Sequence, residues 1–302
     1  MASSSPPDPA PDPAPDPDPA PDPAVTAEGV SRVHRDGDRT LRSLDDVTLT
    51  VAPGEVVAVM GPSGSGKTTL LHLLGGLDRP DTGRVEIAGQ DWAGLRGAAR
   101  AAFRRRACGF VVQGQSLLPQ ATAAENVEVP LLLDGTDADT RLSRVAAALE
   151  RVGLGDHANK LPDQLSGGQQ QRVAIARALV NDPTVILADE PTGSLDSDTA
   201  AVVAQLLVDA AGARGASVVL ATHDPAVAER ADRLVHLHSG RLSGRITRDT
   251  GVRIQQVRCR DSHVVPGFEH PFHRRQQRGQ DAAAEPARGG VPRNAHEKPH
   301  PE

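Results

Sequence analysis

The chain has few of the residues that stabilise small secreted domains or form membrane-spanning segments. Its 302 residues include no tyrosine and only two cysteines, Cys108 and Cys259, which stand far apart. Two isolated cysteines form neither a disulfide framework nor a metal-ligand cluster, which suits a reducing cytosol. No run of about 18 apolar residues is present, so no segment is predicted to cross a bilayer. The net charge of −6 disfavours a dedicated nucleic-acid binder, and no nucleic acid is expected as a partner.

The two ends of the chain lack the apolar periodicity of a folded domain. Residues 1–24 repeat Pro, Asp, Ala and Ser with five Asp and no Lys or Arg, so they are predicted to be disordered. Residues 248–302, with ten Lys/Arg, seven Asp/Glu and five His, are predicted to be a flexible tail. Contact of this tail with nucleic acid or lipid headgroups is the alternative. The apolar pattern of residues 25–247 predicts a single domain between the two ends.

Four short apolar runs in this domain each lead into a polar residue. The runs precede Gly61, Gln113, Asp189 and His223, and they are rich in Val and Ile, which is typical of buried parallel strands. Helical patterns follow three of them, which favours an α/β domain. Ligands bind at the carboxyl ends of the strands in open parallel sheets, so the four polar groups are expected to converge on one site.

The first run leads into a phosphate-binding pattern, G-x-x-x-x-G-K-[ST], formed by Gly61, Pro62, Ser63, Gly64, Ser65, Gly66, Lys67 and Thr68. Glycines let backbone N–H groups turn inward around an anion, and the start of a helix near Lys67 favours negative charge. The helix is expected to bury Leu70, Leu71, Leu74 and Leu77. Lys67 is predicted to reach the β- and γ-phosphates of a nucleotide, and the Thr68 hydroxyl to bind Mg²⁺. A glycine-rich turn before a helix is the alternative interpretation.

Two further motifs carry chemistry that suits the same site. Asp189 and Glu190 follow a strand, where one carboxylate can bind Mg²⁺ and the other can polarise a water molecule, although a helix cap or a solvated loop pair has the same pattern. The octet Leu165–Arg172 begins with a Ser-Gly-Gly turn that opens a helix with Val173, Ala176 and Leu179 as apolar positions. Free N–H groups at such a helix start attract anions, although the turn alone also fits a well-capped helix.

The order and spacing of these motifs resemble the ABC ATPase family over roughly residues 25–245. Within that resemblance, Gln113 is similar to the Q-loop glutamine, Asp196 in Ser194-Leu195-Asp196 to the D-loop aspartate, and His223 to the switch histidine. The fold that it implies is α/β, with a P-loop NTPase core, an antiparallel β subdomain over roughly 25–55 and 82–90, and a helical signature subdomain over about 115–178. A helix within the last of these is also favoured by the spacing of Leu142, Val145, Ala146, Leu149 and Val152.

The resemblance implies a head-to-tail dimer, either of this chain or with a paired ATPase subunit. ATP would lie between two segments, the loop Gly61–Thr69 of one subunit and the turn Ser166, Gly167 and Gly168 of the other. Glu190 would be the general base, His223 would contact the γ-phosphate, and Asp196 would lie at the dimer interface. Gln113 would bind near Mg²⁺ and communicate with a transmembrane permease. The chain would therefore act at the cytoplasmic face of the plasma (inner) membrane through that permease.

Two positions depart from the family pattern. His34 stands where relatives often have an aromatic residue that stacks on adenine, and Gly114 stands where they often have a second Gln.

The stretches Ala188–Asp196 and Leu117–Val127 look most like the lipoprotein-release and macrolide-efflux group. A soluble ABC ATPase of DNA repair or ribosomes, or an inactive regulatory domain, is the alternative. The tail after Arg248 does not resemble the family and is either an appended linker or an altered reading frame.

Overall fold

The computed structural model describes residues 22–36, 39–112, 114 and 116–247. The predicted disordered segment up to residue 21, the predicted tail from residue 248 and Gln113 lie outside the described residues. The strands of the described part are β1 Val25–Asp36, β2 Arg39–Val51, β3 Val56–Met60, β4 Thr82–Ile87, β5 Gln90–Asp91, β6 Cys108–Val111, β7 Val185–Asp189, β8 Ser217–Thr222, β9 Arg233–His238 and β10 Arg241–Thr247. The helices of that part are α1 Lys67–Leu74, α2 Gly97–Ala107, α3 Ala123–Leu133, α4 Ala138–Arg151, α5 Gly167–Leu179, α6 Ser197–Arg214 and α7 Pro225–Ala228.

The larger sheet has the strand order β10-β9-β3-β8-β7-β6. Its strands β9, β3, β8, β7 and β6 are parallel, and β10 runs antiparallel at one edge. The four predicted strands are β3, β6, β7 and β8, and they are neighbours. All six residues of β8 are buried, as expected for a strand that is covered on both faces.

Helices cover both faces of this sheet, and successive strand residues belong to different cores. Val56 and Ala58 of β3 lie in one apolar cluster, whereas Val57 and Val59 lie in the other. This alternation follows from the two-residue repeat of a β-strand. The central strands therefore need apolar residues at every position, which explains why they read as continuous Val- and Ile-rich runs.

The register of the sheet places the strand ends level with one another. Met60 pairs with Thr222, and Asp189 pairs with Ala221. Glu190 therefore follows β7 beside the end of β8. The loop after β3 begins at the same edge of the sheet. The convergence that was predicted for these strand ends is confirmed for β3, β7 and β8.

A second sheet is antiparallel and has the order β2-β1-β4-β5. It contains the ranges that were expected to form the antiparallel subdomain. Between β6 and β7, the described residues form α3, α4 and α5 with two short 3₁₀ turns and no strand, as expected for a helical subdomain. No helix of the described residues is long and apolar enough to span a membrane.

One of the predicted buried positions is wrong. Helix α1 ends at Leu74, because Gly76 takes a left-handed conformation with a φ of +64° and the chain leaves the helix there. Trp92 donates its indole N–H to Leu74 O, and Arg100 donates to Gly76 O. Leu77 therefore lies outside the helix and is 49% exposed, and Leu73 is buried instead. The helix predicted from the spacing of Leu142 to Val152 is present as α4. Its packed face is formed by Val145, Ala148 and Leu149, whereas Leu142 is 67% exposed.

Candidate active site

The loop between β3 and α1 requires glycine at two positions. A Cβ at Gly61 would overlap the carbonyl oxygen of Leu237 on β9. A Cβ at Gly66 would overlap the carbonyl oxygen of Ser43 on β2, and Gly66 also has a φ of +107°. Backbone from both sheets thus approaches the loop closely, which only a residue without a side chain allows.

The same loop leaves the first turn of α1 without a side-chain cap. Gly66 is the N-cap residue, and it has no side-chain hydrogen bond to offer to the first N–H groups of the helix. Those N–H groups, together with the positive end of the helix dipole, favour an anion. The arrangement agrees with the phosphate-binding pattern of Gly61–Thr68.

Lys67 is the first residue of α1, and its ammonium group points back across the loop. Its Nζ donates to Gly61 O at 2.8 Å and to Pro62 O at 3.3 Å. It also lies 3.4 Å from Glu190 Oε1, and the side chain is only 8% exposed. The loop therefore presents a nearly buried positive charge beside the end of β7.

Glu190 is held by Ala221 and His223 at the end of β8 and by Lys67 at the start of α1. Its backbone N–H donates to Ala221 O at 2.9 Å, and it has a φ of 44°, which is uncommon for a residue with a side chain. Its Oε2 lies 2.9 Å from His223 Nδ1 and accepts from the backbone N–H of His223 at 3.3 Å. The carboxylate is thus fixed between Lys67 and His223, and strained backbone of this kind is common at functional sites.

Thr68 and Asp189 form the pair of oxygen donors that was predicted for Mg²⁺. Thr68 Oγ1 donates to Asp189 Oδ2 at 2.7 Å. A hydroxyl and a carboxylate oxygen in contact are hard ligands, and Mg²⁺ in phosphate sites is usually held by one or two such groups together with the phosphates. The residues present therefore fit this ion.

The Ser-Gly-Gly turn caps helix α5. Ser166 Oγ accepts from Gln169 N at 3.3 Å, and Gln169 Oε1 accepts from Ser166 N at 2.9 Å, which is a capping box. Val173, Ala176 and Leu179 are buried as expected. The turn itself, with Ser166 and Gly167 exposed, lies at the surface.

Asp196 caps helix α6 in the same manner. Its Oδ1 accepts from Thr199 N at 3.0 Å and its Oδ2 accepts from Thr199 Oγ1 at 2.7 Å. These bonds hold the pKa of the Asp196 carboxyl below its ordinary value, the backbone bond from Thr199 being the larger cause. Thr199 was missed in the sequence, although an Asp three residues before a Thr at the start of an apolar helix is a recognisable capping signal.

The structure brings only part of the predicted site together. The hydrogen bonds and ion pairs of the described residues join Lys67 and His223 to Glu190, and Thr68 to Asp189. Among the same residues, the side-chain hydrogen bonds of Ser166 and Asp196 stay within the first turns of α5 and α6.

His34 lies on β1 with an exposed side chain, beside an open hollow of about 620 Å³ that Arg32 and Asp81 also line. Gly114 has a φ of +82°, a left-handed conformation that suits glycine and would strain a glutamine. The glycine at this position therefore suits the local backbone.

The parallel sheet, the glycine loop that opens α1 and the Lys67–Glu190 pair at the strand ends define a P-loop ATPase domain. Residues 44–193 match the family model described as ABC transporter. The chain is 47% identical over 218 residues to the lipoprotein-releasing system ATP-binding protein LolD of Xanthomonas axonopodis pv. citri, covering 72% of this chain and 89% of that one. It is 50% identical over 218 residues to the macrolide export ATP-binding/permease protein MacB 1/2 of Paracoccus denitrificans, covering 72% of this chain but only 32% of that longer one.

Solved structures give the same result. A dimeric post-hydrolysis state of the ATP-binding cassette MJ0796 bound to ADP and Pi is similar with a TM-score of 0.69 and 40% identity, covering 74% of this chain and 98% of that one. CbiO1 from Clostridium perfringens, part of the ABC transporter complex cbiONQ, is similar with a TM-score of 0.67 and 28% identity, covering 74% and 88%. The chain belongs to the ABC transporter family. The predicted family resemblance and fold class are confirmed.

Proposed function

We propose that this chain is the ATP-binding and ATP-hydrolysing subunit of an ABC transporter and that it energises a separate membrane permease. The observation that carries this conclusion is the position of Glu190, whose two carboxylate oxygens lie 3.4 Å from Lys67 Nζ and 2.9 Å from His223 Nδ1. A carboxylate between a phosphate-binding lysine and a histidine at adjacent strand ends suits a general base for the water that attacks a γ-phosphate.

The phosphates of ATP bind in the loop Gly61–Thr69. The uncapped N–H groups at the start of α1 and the ammonium of Lys67 supply the positive potential for the β- and γ-phosphates. Thr68 and Asp189 would hold Mg²⁺, which would supply positive charge next to the phosphates. The family resemblance assigns Gln113 to the same ion.

Glu190 accepts the proton of the water that attacks the γ-phosphate in line. His223 contacts the γ-phosphate, and the hydrogen bonds that it makes to Glu190 Oε2 hold the carboxylate in position. His34 stacks on the adenine ring from the antiparallel sheet. An imidazole offers a smaller face than the aromatic residue that relatives often have, so this contact contributes less to ATP affinity.

A second subunit completes the ATP site. Ser166, Gly167 and Gly168 of the partner present the start of α5 to the γ-phosphate, and Asp196 lies at the same interface. Among the described residues, no hydrogen bond joins Ser166 or Asp196 to Lys67 or Glu190 of the same chain, which leaves them available for a partner's site. The similar cassette MJ0796 is named as a dimer, which also supports this arrangement.

The permease docks beside the loop that contains Gln113. A hollow of about 350 Å³ lies there, lined by apolar residues such as Leu77, Phe110 and Val112 and by Arg104 and Arg177. Leu77, half exposed at its rim, is an apolar contact for a partner rather than a core residue. Val112 directly precedes Gln113, so a segment in this hollow is adjacent to the residue that senses the nucleotide.

The transporter is of the lipoprotein-release or macrolide-export type, in which ATP hydrolysis drives motion across the membrane rather than passage through a channel. The two curated relatives bear those names. The chain acts at the cytoplasmic face of the plasma (inner) membrane, where the permease holds it. Residues 25–247 form the ATPase domain.

Glu190→Gln tests the catalytic assignment. The variant keeps the size of the side chain and removes the base, so it is expected to bind ATP, to form an ATP-dependent dimer and to lose at least about 100-fold in turnover. Glu229→Gln, which removes an exposed carboxylate at the end of α7, is the matched control and keeps wild-type turnover. Wild-type turnover by Glu190→Gln would refute the role of this residue.

Co-purification tests the transport assignment. Glu190→Gln and wild type are solubilised from membranes in detergent, and the proteins that accompany each are identified. A multi-spanning partner, enriched with the stalled variant in the presence of ATP, supports the permease assignment. If the chain instead brings down ribosomes or nucleic acid, the non-transport alternative is correct and the ATPase site still stands.

A further inference from the structure

Helix α5 begins in direct contact with the first turn of α6. A Cβ placed on Gly168 would overlap Thr199 Cγ2, and it would lie 3.5 Å from both Cβ and Oγ1 of the same residue. The methyl group of Thr199 therefore fills the space in which any other residue at position 168 would carry its side chain. This contact explains, within one chain, why the third residue of the Ser-Gly-Gly turn is a glycine.

The hydroxyl of the same threonine binds the neighbouring loop. Thr199 Oγ1 donates to Asp196 Oδ2 at 2.7 Å, and Thr199 N donates to Asp196 Oδ1 at 3.0 Å. One half-buried side chain thus contacts Gly168 with its methyl group and Asp196 with its hydroxyl. The two ends of this side chain touch two segments that are 28 residues apart in the sequence.

We propose that Thr199 is a positioning residue that joins the Ser166–Gly168 turn to the segment around Asp196, so that both move as one unit when two subunits close on ATP. The inference rests on the proposed function, in which both segments face the partner subunit. In this role Thr199 contacts neither the nucleotide nor the water that attacks the γ-phosphate. It acts by transmitting the position of one loop to the other.

Two conservative variants separate the two contacts. Thr199→Ser keeps the hydroxyl for Asp196 and removes the methyl group beside Gly168. Thr199→Val keeps a methyl group beside Gly168 and removes the hydroxyl hydrogen bond to Asp196 Oδ2, while the backbone N–H bond to Oδ1 stays. Thr199→Ser therefore acts on the contact with Gly168, and Thr199→Val weakens the connection to Asp196.

The chain provides a matched control at another helix. Asp137 caps α4 and accepts from Thr140 N at 2.9 Å, and the Thr140 hydroxyl also bonds to the Asp137 carboxylate. The spacing, the half-buried threonine and the exposed aspartate are the same as in α6. Thr140→Ser and Thr140→Val therefore cause the same local loss at a helix start that is outside the proposed site.

The first test measures the contact without ATP. Gly168→Ala is expected to lower the melting temperature of the full chain, because the new methyl group overlaps that of Thr199. Adding Thr199→Ser recovers most of this loss, whereas adding Thr199→Val does not. Equal melting temperatures for the two double variants would overturn the proposed contact.

The second test measures ATP turnover and binding of a fluorescent ATP analogue by each single variant. Thr199→Ser and Thr199→Val are each expected to lower kcat about fivefold, the effect of losing one ordinary contact. Affinity of the analogue for the separate subunit stays within about twofold, because Gly61–Thr69 determine it, and both Thr140 variants keep kcat within about twofold. If the Thr199 variants and the Thr140 controls have equal kcat, the proposal is overturned.

The two tests also distinguish failure of this inference from failure of the proposed function. If wild type neither binds nor hydrolyses ATP, the function is wrong, whatever the melting temperatures show. If wild type is an ATPase and the Thr199 variants behave like their controls, the function stands and the positioning role is wrong.

Discussion

Asn126 of α3 holds the segment that follows Gln113, and its replacement gives a measurable loss of stability. The side chain is fully buried. Its Oδ1 accepts from Leu118 N at 2.7 Å. Its Nδ2 lies within 3.1 Å of three carbonyl oxygens, those of Leu118, Ala121 and Thr122. One side chain therefore bonds four backbone groups of this segment.

The magnitude follows from the number of these bonds. The two N–H hydrogens serve three carbonyls, so the amide makes about three effective hydrogen bonds, each worth about 1 kcal/mol. Asn126→Ala is expected to lower the free energy of unfolding by about 3 kcal/mol, and the melting temperature of a domain of this size by about 6–12 °C. Asn181→Ala is the control: its two contacts, at 3.2 and 3.4 Å, are longer, and a loss of about 1 kcal/mol is expected.

Fluorescence of Trp92 is a suitable assay for urea unfolding, because it is the only tryptophan of a chain without tyrosine and is 3% exposed.

Asn126→Asp adds a second test. Burial and three facing carbonyl oxygens raise the pKa of the new carboxyl in the folded state above its unfolded value. The neutral carboxyl stabilises the folded state at low pH, and this stabilisation is lost as pH rises. The free energy of unfolding of Asn126→Asp, minus that of Asn126→Ala, is therefore expected to be larger at pH 5 than at pH 8. A loss for Asn126→Ala no larger than that of Asn181→Ala would refute the reasoning.

Burial raises the pKa of the Cys108 thiol to about 12, so at pH 8 it is only about one part in ten thousand thiolate. In a Cys259→Ser background, a thiol reagent is expected to react at pH 8 only after urea unfolding, and rapid reaction with the folded chain would contradict the burial. Gly75→Ala adds a methyl group that overlaps the ring of Phe110 and is expected to cost about 1–3 kcal/mol in urea unfolding. Gly212→Ala in α6 meets no atom within 4 Å and is expected to stabilise by up to about 1 kcal/mol, so equal effects of the two substitutions would refute this comparison.

Much of the fold was predictable because its signals are local. The strands that end at Met60, Asp189 and Thr222 read as apolar runs, since a strand covered on both faces needs apolar residues at every position. The start of α1 was readable from glycines followed by Lys67. The convergence of Glu190 and His223 on Lys67 followed from the rule that parallel strands meet at their carboxyl ends.

Burial of single residues was less predictable, because it depends on elements distant in the sequence. Leu77 fits the helical spacing of α1, yet the helix ends before it. The carbonyl oxygens of Leu74 and Gly76 there accept hydrogen bonds from the side chains of Trp92 and Arg100. Leu142 fits the spacing of α4, yet the neighbours of that helix cover another face. Periodicity gives the separation of residues along a helix and does not give the direction of the core.

The phosphate loop, the polar residues that end the strands and the family could be recognised in the sequence, because consecutive or regularly spaced residues carry each of them. The reason that Gly61, Gly66 and Gly168 are glycines lies in the packing of distant segments. Their missing side chains would overlap Leu237 O, Ser43 O and Thr199 Cγ2, and none of these neighbours is close in the chain. Steric exclusion between distant segments leaves no periodic trace in a sequence, so it becomes visible only when the chain is folded.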